Sequence, residues 1–410
     1  MIKSFKQFVL TEGAGHLTHV EDSVLYSGVS GAKKAIQTLK SVRDSLTGKG
    51  NKPVSVTVKW DGAPAIFCGI DSADGKFFVA KKSIFNKVPE VYKTPDDIDA
   101  AIASGDLNNK MKVALAELSK LGIRGIIQGD IMFTEDTVKR ETIKGQEYIT
   151  FHPNTIVYAV PIDSEIGQKI SAAKIGVVFH TSYTGKLGSL EAVPGVNTKS
   201  MKQVPSVWWQ TADLKSTTAP DVKPEDLMQI DKLLKQADQT LSKISPNTLN
   251  AIETSSDLAQ ELETYANSKV RSGQEIGDPA KHVAGLMNWM KARFDKQEAE
   301  KKTEAGKKSV DARRQARMEF FSGDNVNNLV LIFTLQQILV DAKKLLISKL
   351  NQLGGVNTFL KTKGGYEKTG QEGYVVGDPI GGNTVKLVDR LGFSRANFSP
   401  DVVKGWDHQK

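Results

Sequence analysis

Hydrophobic and polar positions divide the chain into β-rich flanks around a long helical stretch. Across residues 16–48, Val24, Leu25, Ala32, Ala35, Ile36 and Leu39 recur at helical spacing, and Gly48 and Gly50 supply a stop. From Val54 the period changes to two. Val54, Val56 and Val58 alternate with Ser55, Thr57 and Lys59, the pattern of a strand. A second apolar run at 65–70 is followed by Asp71-Ser72-Ala73-Asp74-Gly75 and by residues 76–80, which predicts a hairpin in a mainly antiparallel sheet. A helix is expected at about 96–121, with strands near 125–132, 147–151, 155–161 and 175–181.

After residue 222 the pattern becomes helical. Lys223-Pro224-Glu225-Asp226 opens a helix, and Leu227, Ile230, Leu233, Leu234, Ala237 and Leu241 follow at helical spacing. Helical periodicity continues, with breaks, to about Leu350. The apolar run at 329–340 is too short for a bilayer span and is broken by glutamines, so it predicts a buried helix and no membrane partner. Strand pattern returns at 374–376 and 384–388. The expected fold class is α+β, an antiparallel-sheet domain carrying a large, mainly helical insertion. Residues 1–50 form a leader and helical segment, 51–221 the first part of the sheet domain, 222–355 the insertion, and 356–410 the closing strands.

Composition narrows the class. The 410 residues are 39% hydrophobic and 25% charged, which supplies a core for two or three units and excludes a disordered or collagen-like chain. The single cysteine, Cys68, excludes an internal disulfide framework and a thiolate zinc cluster, and suits a reducing compartment. A net charge of +8 favours polyanionic partners such as nucleic acid or nucleotides. The stretch 291–318 holds ten Lys and Arg against five Asp and Glu. It reads first as a solvated helix face of mixed charge and second as a surface facing nucleic acid.

The string most informative about chemistry is Lys59-Trp60-Asp61-Gly62, at a strand end before a turn. A sheet can hold Lys59 rigidly there, and Gly62 lets a nucleotide approach the backbone. Lysine amines act as nucleophiles in covalent catalysis. Further along lie Lys81-Lys82-Ser83, Gln128-Gly129-Asp130, Val157-Tyr158-Ala159-Val160, Glu372-Gly373-Tyr374-Val375-Val376 and Val385-Lys386-Leu387-Val388. Taken singly, Glu372 reads as a turn carboxylate, Tyr158 as a core aromatic and Lys386 as an exposed strand lysine.

In this order the motifs resemble those of the covalent nucleotidyltransferase superfamily of ATP-dependent DNA ligases, RNA ligases and mRNA-capping guanylyltransferases. The likeness covers about 55–160 and 370–390, and the helical insertion accounts for the long gap. It implies a ligase-adenylation fold in which Lys59 forms a lysyl–AMP intermediate. Asp61, Gly62, Lys82, Asp130, Tyr158, Glu372 and Lys386 would bind the nucleotide, with Tyr158 stacking on the base and Lys386 also acting in catalysis. ATP and Mg²⁺ are the implied cofactors, with Glu372 and Asp130 as hard oxygen ligands for the ion. Cations around the α-phosphate would balance the charge that accumulates there. Two departures stand out. Asp130 replaces the family's glutamate, and Val388 replaces a second lysine, for which Lys386 or Arg390 would compensate. The short stretch after Val388 leaves no room for an OB domain, which favours an RNA-ligase-like or minimal-ligase organisation over a capping enzyme. The implied activity is joining of DNA or RNA ends by a monomer in a host cytoplasm.

Residues 1–13 are basic and aromatic, with Phe5, Phe8 and Val9 at helical spacing, and read as a short amphipathic helix without a secretory core. They also resemble the capsid-targeting leaders of internal head proteins of large tailed bacteriophages. Leu10-Thr11-Glu12 before Gly13 fits cleavage after Glu12, and Leu115-Ala116-Glu117 matches the same core. That likeness implies packaging in the virion, capsid components as partners, and an alternative function: a catalytically degenerate nucleotidyltransferase-fold head protein that binds DNA. No phosphate-loop, H-E-x-x-H or G-x-S-x-G motif is present. The histidines, His16, His19, His152, His180, His282 and His408, are dispersed, and the first two read as loop or surface residues. Trp208-Trp209 is expected to pack a junction or to stack on bases.

Overall fold

A computed structural model describes residues 17–48, 55–214, 222–353, 356–377 and 384–405. The leader motif at 10–12, its expected cleavage point, His16 and His408 lie outside the described residues.

The first expected helix is broken in two. After a 3-10 turn at Val20–Asp22 come α1 (Ser23–Tyr26) and α2 (Gly28–Leu46), the second opening on Gly28 at φ +49°. The alternating valines form β1 (Ser55–Lys59), and the hairpin forms as β2 (Ala65–Ile70) and β3 (Phe77–Ala80). The helix expected at 96–121 splits into α3 (Pro95–Ala101), started by a Thr94–Asp97 capping box, and α4 (Asp106–Leu118). Strand β4 (Ile126–Thr134) precedes a meander of β5 (Lys139–Ile143), β6 (Gln146–Phe151) and β7 (Ile156–Pro161). Helix α5 (Glu165–Ala172), β8 (Ile175–Thr184), β9 (Glu191–Pro194) and β10 (Val207–Thr211) complete the first β region.

The helical unit comprises α6 (Pro224–Leu241), α7 (Pro246–Thr254), α8 (Ser256–Arg271), α9 (Pro279–Ala299), α10 (Glu304–Phe320) and α11 (Asp324–Leu350). Three of these begin on proline, whose fixed φ and missing N–H suit a first turn. Helix α11 buries Leu329, Ile332, Phe333, Leu335 and Leu339, as its apolar run predicts. The charged stretch lies on the α9–α10 hairpin, where Arg314 pairs with Asp295 (3.0 Å) and Glu298 (2.7 Å) and Arg317 with Glu261 (2.7 Å). Mixed charges facing one another describe much of that surface. Strands β11 (Asn357–Thr362), β12 (Gly365–Lys368), β13 (Gly373–Gly377) and β14 (Thr384–Leu387) follow, then α12 (Arg390–Phe398). No helix among the described residues is long and apolar enough to cross a membrane.

The strands make three sheets, ordered β1-β13-β14, β10-β8-β4-β2-β3 (with β9 beside β8) and β12-β11-β7-β6-β5. All pairings are antiparallel except β8 with β10, so the class is α+β. The three-stranded sheet matters most. Val58 pairs with Tyr374, which pairs with Leu387, and Val56 pairs with Val376, which pairs with Val385. Cross-strand partners share a face, and this face joins the core formed by α2 and the helices of 224–350. The alternate positions, Lys59 opposite Gly373 and Thr57 opposite Val375 and thence Lys386, point the other way. One alternation thus buries valines under the helices and gathers two lysines on the opposite face.

Candidate functional site

Lys59 ends β1, and Glu372 immediately precedes β13. Their pairing register brings Lys59 Nζ to 2.5 Å from Glu372 Oε2, although more than three hundred residues separate them in the chain. The Glu372 side chain is only 8% exposed. Glycine is required next to it, because a Cβ on Gly373 would lie 2.6 Å from the Leu387 carbonyl oxygen.

Asp130, on β4 opposite Ala65 and Val178, shares this recess. Burial pushes its pKa up to about 7, with Lys59 opposing and Glu372 and Asp61 adding to the rise. Burial also raises Glu372, against the pull of Lys59. Lys386 is held below the usual lysine range by burial and by Arg390, with Lys59 adding to the effect. The structure therefore gathers Lys59, Glu372, Asp130 and Lys386.

The other expected site residues are placed differently. The Asp61 carboxylate accepts hydrogen bonds from Asn154 Nδ2 (2.5 Å), the Thr155 N–H and hydroxyl (both 2.6 Å) and the Ile156 N–H (3.0 Å). It pins the start of β7 and is closed to a nucleotide. Tyr158 is fully buried, its ring stacked between Trp60 (5.0 Å) and Phe151 (5.3 Å), and its hydroxyl accepts the Asp61 N–H at 2.7 Å. No face is left for a base, so Tyr158 is a core aromatic, and the base-stacking expectation is corrected. Gly62 is needed for protein packing, since a Cβ there would sit 2.5 Å from Asp130 Cβ. Lys82, itself exposed, opens a 3-10 turn (Lys82–Phe85) and makes no ion pair with the recess carboxylates among the described residues.

Where a second lysine was expected, Val388 is buried. Arg390 is committed elsewhere, pairing with Asp22 and, at 3.3 Å through Nε, with Glu21. Nor is His19 a surface residue: its Nδ1 is buried, and burial followed by Arg390 pushes its pKa down to about 2. Trp208 packs edge-on to Trp60 between two sheets, and Trp209, on the other face of β10, donates Nε1–H to the Lys202 carbonyl at 3.0 Å. Both tryptophans are packing residues.

Sequence reasoning passed over His180, whose Nε2 lies 3.7 Å from Asp130 Oδ2. Burial and then Lys59 push its pKa down to about 4, which leaves the ring neutral at physiological pH. Only its place on β8, beside β4, brings it here.

Among the described residues no group of three or more His, Cys, Asp or Glu is arranged to hold a metal ion. Asp130 and Glu372 supply two carboxylates to the recess, one of them already paired with Lys59.

The pKa of Asp130 predicts a pH-dependent stability. Its folded value of about 7 lies above the ordinary 3.8, so its contribution is fullest below about pH 3.8 and is lost as pH rises through 7. Asp130→Asn, which cannot ionise, is expected to raise the urea midpoint at pH 8, with the advantage shrinking towards pH 4. One pKa unit corresponds to about 1.4 kcal/mol, and the residual exposure of the side chain discounts the total to roughly 2 kcal/mol. An equal advantage at both pH values would refute the assignment.

No curated protein and no solved structure matches the chain. A family model does, over residues 14–401, and the chain belongs to that family, DUF6267, described as a family of unknown function.

Proposed function

We propose that this protein is an ATP-dependent nucleotidyltransferase of the polynucleotide-ligase type, with Lys59 as the nucleophile. The observation that carries the proposal is the meeting of Lys59 with Glu372 at 2.5 Å, on the sheet face that also bears Lys386. Two of the motifs, divided in the chain by a helical unit, lie side by side on paired strands.

In the first step the Lys59 ammonium gives a proton to Glu372, and the free amine attacks the α-phosphorus of ATP. An N–P bond forms, the P–O bond to pyrophosphate breaks, a second proton leaves with the pyrophosphate, and one N–H stays on the phosphoramidate. Lys386 balances charge on the α-phosphate oxygens. Mg²⁺ would neutralise the leaving group, with Asp130 as its carboxylate while Glu372 carries the Lys59 proton. AMP then passes to a nucleic-acid 5′-phosphate, and a 3′-hydroxyl displaces it.

Incubation with α-labelled ATP or GTP and Mg²⁺ tests the proposal. The expected result is acid-labile label that survives a denaturing gel and maps to Lys59 by peptide mass spectrometry; the nucleotide that labels identifies the base. No label with either nucleotide, together with DNA binding that weakens as salt rises, would support the non-catalytic DNA-binding alternative.

A further inference from the structure

Between the pairs made by Gln128 and Gly129 of β4, strand β8 carries one extra residue. Thr181 pairs with Gln128 and Phe179 with Gly129, and His180 between them has no partner. This is a β-bulge, a device that re-aims a side chain at the cost of one ladder position. The His180 carbonyl is taken up by the Gly195 N–H (3.2 Å), and Nδ1 lies 2.7 Å from the Thr181 hydroxyl. With that hydroxyl donating to Nδ1, the ring's hydrogen sits on Nε2, the atom facing Asp130 Oδ2 at 3.7 Å.

The carboxylates of this region are held unequally. Asp61 accepts four hydrogen bonds, and Glu372 has Lys59. The Asp130 carboxylate receives no hydrogen bond among the described residues, and His180 is the polar side chain brought up to it. Asp130 is also one methylene shorter than glutamate, so its reach into the recess depends on its orientation. We propose that His180 is a positioning residue that acts through Asp130, its Nε2–H fixing the carboxylate towards Lys59 when a nucleotide enters. A gap of 3.7 Å exceeds a formed hydrogen bond, and such contacts commonly tighten when ligand binds. The inference rests on Lys59 as the nucleophile and adds a residue outside the motifs quoted above.

The test is a double-mutant cycle on the full chain. The rate of label transfer to Lys59 and the KM for ATP are measured for wild type, His180→Phe, His180→Gln, Asp130→Asn and the double variant His180→Phe/Asp130→Asn. His180→Phe is expected to slow transfer by about 10- to 100-fold, the range for lost supporting partners of a ligand carboxylate. His180→Gln, which restores a donor, should recover most of the rate. In the Asp130→Asn background the same Phe substitution should change the rate by less than about twofold. Equal losses in both backgrounds, or no loss in either, overturn the His180 proposal while leaving the function standing. Absence of label in wild type overturns both. Should His180→Phe fail to fold, as judged by its urea transition, His180→Ala takes its place in the cycle.

Discussion

Lys59→Arg is expected to lose nucleotide labelling by at least about 10³-fold, the scale of a deleted nucleophile, while its unfolding free energy in urea stays within about 1 kcal/mol of wild type. The two halves of this expectation have different causes. Arginine keeps a cation beside Glu372, which is almost enclosed and whose partner at 2.5 Å is Lys59. The lysine side chain is 36% exposed, so a longer guanidinium has room. A guanidinium does not shed its proton in proteins and cannot present a free amine to phosphorus. Charge is therefore preserved and nucleophilicity removed. Retained label in this variant would sink the assignment of Lys59, and a collapsed urea transition would assign Lys59 to structure.

Lys343→Met is expected to destabilise the protein by about 3 kcal/mol, the lower end of the range for breaking a buried ion pair. Lys343 on α11 and Glu21 in the first 3-10 turn are 1% and 2% exposed, with Nζ and Oε1 2.6 Å apart. Methionine fills a similar volume and leaves the buried Glu21 charge with Arg390 as its remaining ion-pair partner. Arg390, 3.3 Å from the same oxygen, keeps the loss from being larger. Adding Glu21→Gln to Lys343→Met should recover most of the stability, because it removes the stranded charge. Burial alone would raise the pKa of Glu21, but Lys343 and Arg390 hold it down to about 2. Its folded value thus lies below the ordinary 4.5, so this stability is present above about pH 4.5 and is lost as pH falls towards 2. The gap between wild type and Lys343→Met should narrow accordingly between pH 7 and pH 3. Urea midpoints at both pH values provide the measurement, and an unchanged midpoint at pH 7 would contradict the role given to the pair.

What the sequence disclosed follows from how local each signal was. Alternating valines in β1, the Asp-Gly turn between β2 and β3, and proline at the head of α6 are written in neighbouring residues, and each formed near its expected place. Strand β5 was invisible because Lys139-Arg140-Glu141-Thr142 is polar throughout; only pairing with β6 makes it a strand. The single helix expected at 16–48 broke at a glycine that the hydrophobic period does not register. Within the site, the order of the motifs pointed to Lys59 and Glu372, which the β1–β13 register then joined. The aromatic at 158 fitted both a base platform and a core residue, and the stacking of Trp60 and Phe151 decides for the core. His180 could not be found from sequence, because a bulge exists only relative to the strand across from it. The engagement of Arg390 by Asp22 was likewise out of reach, since the two meet only when the ends of the chain come together.

The placement of Glu372 after the helical unit has a consequence for synthesis. A nascent chain halted on the ribosome anywhere before residue 372 carries the amine of Lys59 without its acid, and without β13 and β14 to seat it. A chain that stops short of that residue cannot set the Lys59–Glu372 contact, however well its earlier strands have folded.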